Sequence, residues 1–354
     1  MKKRLTAISL FAGAGGDTIG LENAGFNVIA YSEIWDKARK THDLNFPNSK
    51  WLSSDAKGDI TKIEDSLFQE YRGKVDLIFA GFPCQGFSHA GKKDSNDPRN
   101  KLFWEFVRAT EIIKPRWIIG ENVAGLLNRK TDDGKGLIGD IILKAFEDIG
   151  YKMAEPKVLS SEEYGVPQKR KRVFFVGNNQ GVDFKFPNPT HDKKSFRGFL
   201  DILENTLDSA IEIDPTKVAD FNYDNVLKIE GSIKKSSQKP HPFLKLRASE
   251  DRVSFGKRIS PNHIELSDPT LPTKTIHCGY VFQPRLFVPI EYRGKFYARE
   301  FTISELAQIQ NFPKDYKFFG SKADIIKQIG NAVPPIFSQI IAQEIIKIDR
   351  DLKK

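Results

Sequence analysis

Cys84 lies within Gly81-Phe82-Pro83-Cys84-Gln85-Gly86-Phe87-Ser88 and is one of only two cysteines in 354 residues. A thiol is nucleophilic as the thiolate, and its neighbours set how much thiolate exists. The run before it, Val75-Asp76-Leu77-Ile78-Phe79-Ala80, is short, largely apolar and β-favouring, and reads as a buried parallel strand. The thiol therefore sits where a strand gives way to a Gly/Pro-rich loop, the edge at which open α/β sheets bind ligands. A lone cysteine can equally be a small buried hydrophobe, so partners decide. Glu121, in Gly120-Glu121-Asn122-Val123, follows a strand candidate at Trp117-Ile118-Ile119. Arg170 and Arg172 alternate in Gln168-Lys169-Arg170-Lys171-Arg172 ahead of the strand Val173–Val176, and both project from one face if that strand starts early. The plainer readings are a loop carboxylate in water and a solvated basic edge.

A cofactor fold can position these groups. Leu5 to Phe11 is a strand candidate, Ala12-Gly13-Ala14-Gly15-Gly16 a tight glycine turn, and Asp17 to Ala24 a helix stopped by Gly25. Phe26 to Tyr31 is the next strand, which makes a β–glycine loop–α–β unit. Glycines admit positive φ and let a ligand approach the backbone. The spacing is not G-x-G-x-x-G, because Thr18 follows Gly13 and Gly15 in the third place, and the loop alone could be an ordinary turn. Glu33 ends the second strand, where a carboxylate can accept from a ribose diol, and Trp35 can stack on a base. Asp59, in Gly58-Asp59-Ile60-Thr61, can accept from an adenine amine or simply cap a helix. The polar stretch 89–99 reads as a mobile lid. A helix spans Lys101 to Ile113, another about Gly136 to Ile149, and Tyr151 to Leu159 returns as a strand.

The length allows two or three domains and a large core. A net charge of +9 favours a polyanionic partner. Cys84 and Cys278 make neither a disulfide framework nor a four-ligand zinc site, and point to a reducing compartment. The basic, then apolar, N-terminus could pass for a secretory signal, but Gly15-Gly16-Asp17 opens a helix pattern with no processing gap. No apolar run approaches the ~18 residues of a membrane span.

Five motifs now stand in order: Phe11-Ala12-Gly13-x-Gly15-Gly16, Pro83-Cys84-Gln85, Glu121-Asn122-Val123, Gln168-x-Arg170-x-Arg172 and Gln328-Ile329-Gly330-Asn331-Ala332-Val333-Pro334. Together they resemble the cytosine-5 DNA methyltransferases of bacterial restriction–modification systems, over nearly the whole chain. The resemblance implies an α/β fold: a Rossmann-like S-adenosylmethionine-dependent methyltransferase domain with a mixed, mostly parallel sheet, plus a smaller loop-rich target-recognition domain across a DNA-binding cleft. It implies Cys84 as the nucleophile toward C6 of a flipped-out cytosine, Glu121 at N3 and the exocyclic amine, and Arg172 with Arg170 as a positive clamp. It places S-adenosylmethionine, leaving as S-adenosylhomocysteine, against Phe11, Gly13, Gly15, Gly16, Glu33, Trp35, Asp59, Ile60, Pro83, Leu102, Asn331, Ala332 and Val333. One departure is that Ile34 separates Glu33 from Trp35, so Glu33 or Asp36 holds the ribose, with Glu33 favoured. Duplex DNA is the implied partner, with a restriction endonuclease linked only functionally. A monomer in the bacterial cytoplasm, associated with the nucleoid, is the expected setting.

The same resemblance divides the chain into a catalytic domain, 1–182 completed by 323–354, and a recognition domain, 183–322. From about Asp183 to Tyr297 the chain is basic and loop-rich, which suits phosphate contacts. Gln85, Ser88, Lys234, Lys235, Lys239, Arg258 and Thr275 are the candidate DNA-contacting residues. Cys278 reads as inert, and Thr302 or Ser304 can cap a helix through Gln310. An RNA cytosine-5 methyltransferase and a catalytically dead DNA-binding relative remain as alternatives. A nicotinamide oxidoreductase would want the third glycine and explains none of the later motifs.

Overall fold

Apolar runs bounded by glycine build the larger sheet. The computed structural model describes residues 4–53, 57–83, 101–131, 134, 136–217, 222–233, 244–247, 252–255, 265–282 and 285–352. Cys84, Gln85, Ser88, the 89–99 stretch, Lys234, Lys235, Lys239 and Arg258 lie outside them. Strands β1 (Thr6–Leu10), β2 (Asn27–Tyr31), β3 (Lys50–Trp51), β4 (Leu77–Ala80) and β5 (Trp117–Val123) pair in parallel in the order β3-β2-β1-β4-β5. Strands β6 (Lys152–Met153), β7 (Lys157–Ser160) and β9 (Lys171–Asn178) complete the sheet, with β9 antiparallel to β5, β6 and β7. A single strand was expected over Tyr151 to Leu159. Pro156 lies between the two strands found there and has no N–H for a ladder.

Alternation along the strands sends side chains to opposite faces. Ile8, Leu10, Ile78, Ile118 and Phe175 pack with α3 (Asp65–Gln69), α4 (Lys101–Ile113) and α5 (Ile138–Asp148). Ala7, Leu77, Phe79, Ile119 and Val176 pack on the other side with α1 (Gly16–Ala24) and α8 (Pro335–Asp351). Helix α2 (Asp36–Asn45) links β2 to β3. The chain order reverses between β1 and β4, which opens a crevice at the carboxyl ends of those strands.

Helices α1 and α8 approach closely at Gly20. A methyl group there would run into Pro335 O and Ser338 Oγ. Gly20→Ala is therefore expected to destabilise the fold by about 1–3 kcal/mol through overpacking, although alanine is the better helix former. A urea-unfolding midpoint that does not fall would show that the helices can separate at no cost.

The middle of the chain forms a second sheet. Strands β10 (Ile211–Ile213), β17 (Lys295–Arg299), β16 (Leu286–Tyr292) and β11 (Leu227–Ile229) lie in that order, with β14 (Glu265–Leu266) also on β16. Strands β12 (Leu244–Arg247) and β13 (Arg252–Phe255) pair antiparallel. Strand β15 (Thr273–Lys274) instead pairs with β8 (Gln168–Lys169). A second core joins Leu227, Val288, Ile290 and Phe301 to α6 (Ile303–Ile309) and to Ile326 and Ile329 of α7 (Lys322–Asn331). Thr302 caps α6: its hydroxyl accepts from Glu305 N, while the Glu305 carboxylate accepts from Thr302 N.

Candidate active site

The crevice holds a cavity of about 500 Å³. β1 ends in a sharp turn: Phe11 takes φ 58, and its N–H donates to Ser32 Oγ at 3.1 Å. Gly13 has φ 56, where a side chain would be strained. Its N–H donates to Glu33 Oε2 at 2.9 Å, and Trp35 N–H donates to Glu33 Oε1 at 2.6 Å. Backbone donors thus hold both carboxylate oxygens, each keeping a second lone pair for a ligand hydroxyl. Burial raises the Glu33 pKa against these donors. Asp36 does not line the cavity; it is exposed and paired with Arg39 and Lys40.

The next part of the wall comes from the loop after β3. Gly58, at φ 81, lies so close to Glu33 O that a Cβ would collide with it. Asp59 caps the turn Ile60–Lys62 by accepting from Thr61 N at 3.1 Å, and with Ile60 it lines the cavity. Leu102 of α4 and Pro83, the residue before Cys84, also line it. Trp35 stands at the rim with Lys327 Nζ 4.4 Å from its ring centre.

Glu121 and Arg172 occupy the other end. Parallel pairing of β5 with β4 stops at Gly120↔Ala80, but β5 continues against β9, so Glu121 lies within a strand and not just past its end. The main chain there is already bonded, and the side chain of Glu121 is directed into the cavity wall. Arg172 Nε lies 2.8 Å from Glu121 Oε1. Burial raises the Glu121 pKa, with Arg172 and then Arg170 working against it.

Arg170 and Arg172 have different partners. β9 starts at Lys171, and Arg170, just before it, is 1 % exposed and outside the cavity. Its Nη2 donates to Gly330 O and Ala332 O, both at 3.0 Å, and its Nη1 to Ile276 O at 3.3 Å. Gln168 extends this connection: Nε2 donates to Gln310 Oε1 at 2.6 Å, and Oε1 accepts from Ile276 N at 3.0 Å. Gln310 in turn donates to Ala332 O at 2.8 Å. The Gln-x-Arg pair therefore anchors the segment Asn331-Ala332-Val333, which lines the cavity. Thr275 Oγ1 donates to Lys169 O at 2.6 Å in the same region.

Gly15 and Gly16 also lie outside the cavity wall. A Cβ on Gly15 would meet Phe46, Tyr316 and His42, and one on Gly16 would meet Val333 O. Their smallness lets α1 approach its neighbours. Of the residues expected around a cofactor, Phe11, Gly13, Glu33, Trp35, Asp59, Ile60, Pro83, Leu102, Asn331, Ala332 and Val333 do surround one cavity. Asp17, Asn122 and Lys327 line it too and were not singled out in the sequence. Asn122 sat inside a recognised motif. Asp17 reads as an ordinary first-turn acid, and Lys327 carries no local signal.

The parallel sheet, with its glycine turn after the first strand and its cavity at the switch point, is the Rossmann-like fold of S-adenosylmethionine-dependent methyltransferases. The profile of the C-5 cytosine-specific DNA methylase family matches residues 5–347. The Type II methyltransferase M1.HphI of Haemophilus parahaemolyticus is 33% identical over 352 residues, covering 98% of this chain and 87% of its own. M.DdeI of Desulfomicrobium norvegicum is 31% identical over 96% of this chain and 88% of its own. A prophage-encoded protein (E. coli), assigned as a DNA modification methyltransferase, superposes with a TM-score of 0.69 at 23% identity over 98% of this chain and 99% of its own. The S. pombe Dnmt2 methyltransferase superposes at 0.65 and 17% identity over 98% of this chain and 100% of its own. The chain belongs to the C-5 cytosine-specific DNA methylase family, and its enzyme class is DNA cytosine-5 methyltransferase. No helix of the described residues is long and apolar enough to cross a membrane.

Proposed function

We propose that this chain methylates C5 of a cytosine flipped out of duplex DNA at a specific sequence, through a bond between Cys84 Sγ and cytosine C6. The methyl donor is S-adenosylmethionine. The observation that carries this reading is the buried Glu121–Arg172 pair, in the wall of the cavity that also holds Glu33, Trp35 and Asp59, on the strand beside the one leading to Cys84.

When bound, the cofactor supplies an electrophilic methyl group. Glu33 accepts from the ribose hydroxyls, an assignment favoured over Asp36 because Asp36 is engaged by Arg39 and Lys40. Phe11, Trp35, Asp59 and Ile60 would hold the adenine, and Gly13, Pro83, Leu102 and the segment Asn331-Ala332-Val333 would line the rest of the cofactor site.

C5 of cytosine is a poor nucleophile. The Cys84 thiolate adds to C6, which moves an electron pair toward C5. Glu121 holds a proton at N3 and neutralises the charge that develops there, stabilisation that is greater in the transition state than in the ground state. Burial raises its pKa toward the acid form that this step needs, while Arg172 and Arg170 work against it. Arg172 stands as a fixed positive group beside it. After C5 gains the methyl, its proton leaves to a base and the C6–S bond breaks, restoring the thiolate. Arg170 acts at one remove, by holding the wall at Gly330 and Ala332.

Flipping the base costs a few kcal/mol, and the 89–99 stretch is the segment proposed to close over it. Lys234, Lys235, Lys239 and Arg258 are proposed to meet phosphates, and Gln85, Ser88 and Thr275 to lie against DNA. The domain division expected from the sequence, 1–182 with 323–354 against 183–322, puts the DNA between the two sheets. The enzyme is proposed to work as a monomer in the cytoplasm and to protect host DNA from a cognate restriction endonuclease, a role that the Type II methyltransferase names of its relatives suit.

Transfer of labelled methyl from S-adenosylmethionine to unmethylated DNA, followed by mapping of the modified bases, tests the reading. The expected product is 5-methylcytosine within one short repeated sequence. Transfer to transfer RNA alone, or none at all from folded, cofactor-bound protein, would overturn it.

A further inference from the structure

Asp17 opens α1, is 3 % exposed, and lines the cavity. Its Oδ2 accepts a hydrogen bond from Ser9 Oγ near the end of β1. Among the described residues it has no ion pair, and no cation offsets its burial.

The charged and titratable groups around it are committed elsewhere or have the wrong sign. Glu121 faces it from β5 and is itself acidic. Arg172 of β9 is held by Glu121, and Arg170 behind it by three carbonyls. Tyr316, after α6, donates its hydroxyl to Ala14 O. His42 of α2 bonds to Thr18 Oγ1, and burial lowers its pKa to about 3, so it stays neutral. From α8 comes only the Ser338 hydroxyl, which donates to Asp17 O. Glu33, farther along the wall, adds no positive charge, and Lys327 of α7 lies over Trp35.

We propose that Asp17 is the counter-ion for the cationic methionine end of bound S-adenosylmethionine, a ligand that brings the positive charge this corner of the protein lacks. A buried carboxylate is tolerated when it is paired and hydrogen-bonded, and Ser9 already supplies the hydrogen bond. The proposal rests on the cofactor reading above and names the residue that reads the ligand's charge. S-adenosylmethionine carries a sulfonium and an α-ammonium, S-adenosylhomocysteine only the ammonium, and methylthioadenosine neither.

A consequence follows in proton binding. Burial first, with Glu121 adding to it, pushes Asp17 up to about 7, so without ligand about half of the carboxyl groups are protonated at pH 7. A cation beside the carboxyl lowers that value. Binding then releases a proton, and affinity rises with pH through about 7 before levelling off. The window from pH 6 to 7.5 stays below the ordinary range of the ligand's own amino group, about 8.

Calorimetry of the full chain with the three ligands, in buffers of different ionisation enthalpy, tests this. For the native chain, S-adenosylmethionine binding is expected to release a fraction of a proton at pH 7, and methylthioadenosine binding none. Asp17→Asn is expected to weaken S-adenosylmethionine about ten- to hundred-fold at pH 7.5, the loss of one charge-assisted contact. It should also remove the proton release and leave methylthioadenosine unchanged. Glu121→Gln should keep part of the proton release, because burial, the larger cause of the raised value at Asp17, remains. Equal weakening of S-adenosylhomocysteine identifies the ammonium as the partner, and no weakening identifies the sulfonium; both support the proposal. Unchanged affinity in Asp17→Asn, absence of proton release in the native chain, or a loss that extends to methylthioadenosine would overturn it. A native chain that binds no S-adenosylmethionine would overturn the cofactor reading itself, a failure distinct from that of the variant alone.

Discussion

Cys84→Ala is expected to abolish methyl transfer, by ~10⁴-fold or more, while leaving the affinities for DNA and cofactor near those of the native chain. Without a thiolate no bond forms at C6, and C5 stays too electron-poor to take a methyl group. Cavity and DNA surface alike would survive, because alanine removes one atom and no hydrogen-bonded group of the described wall. A nucleophile and a small buried hydrophobe differ here without ambiguity. If Cys84 only fills space, alanine leaves turnover within a few-fold and costs stability instead. Single-turnover transfer, together with mass spectrometry for a protein–DNA adduct in the native chain, separates the two. Turnover by the alanine variant at the native rate would remove the covalent route.

Glu121→Gln is expected to lower kcat about 10²- to 10⁴-fold with little change in cofactor affinity. The substitution keeps the shape of the side chain on β5 and can still present a donor to N3. It cannot transfer a proton, and it removes the charge that Arg172 Nε meets at 2.8 Å. Because Glu121 is buried beside Arg172, the variant also leaves a guanidinium facing a neutral amide. Cofactor titration and thermal unfolding of Glu121→Gln therefore accompany the rate measurement. A fall in rate with binding and stability kept supports proton transfer. A fall that tracks unfolding would assign Glu121 to holding the sheet edge. An unchanged kcat would take it out of the chemistry.

Much of the site was legible before any coordinates, for local physical reasons. The turn after β1 is announced by glycines, and Gly13 does take a positive φ. Glu33 was readable because a carboxylate at the end of the second strand of such a unit has few other uses. α4 spans the same residues, Lys101–Ile113, that its apolar periodicity and Pro115 indicate. The capping box at Thr302 and Glu305 is likewise a short-range pattern.

Other features were not legible, because their partners are far apart in the chain. Arg170 and Arg172 look alike in sequence, two residues apart in a basic run. One meets Glu121 and the other the carbonyls of Ile276, Gly330 and Ala332. Which does which depends on where β9 begins, and that depends on pairing with β5 and β7. The second sheet was read as short strand-like pieces, since β11, β16 and β17 bury their apolar residues against one another and against α6 and α7, which are distant in the chain from β11.

The sequence by itself determined the reaction class, because the motifs that hold the thiol, the acid, the arginines and the glycine turn stand in the order of the C-5 cytosine-specific DNA methylase family. Only the tertiary structure decided which of these groups face the cavity. It alone placed Gly15 and Gly16 in helix packing, turned Arg170 into an anchor, and put the carboxyl of Asp17 in a corner without a cation. Burial and charge neighbours are properties of folded space, set by contacts between different elements of the chain, and no local pattern encodes them.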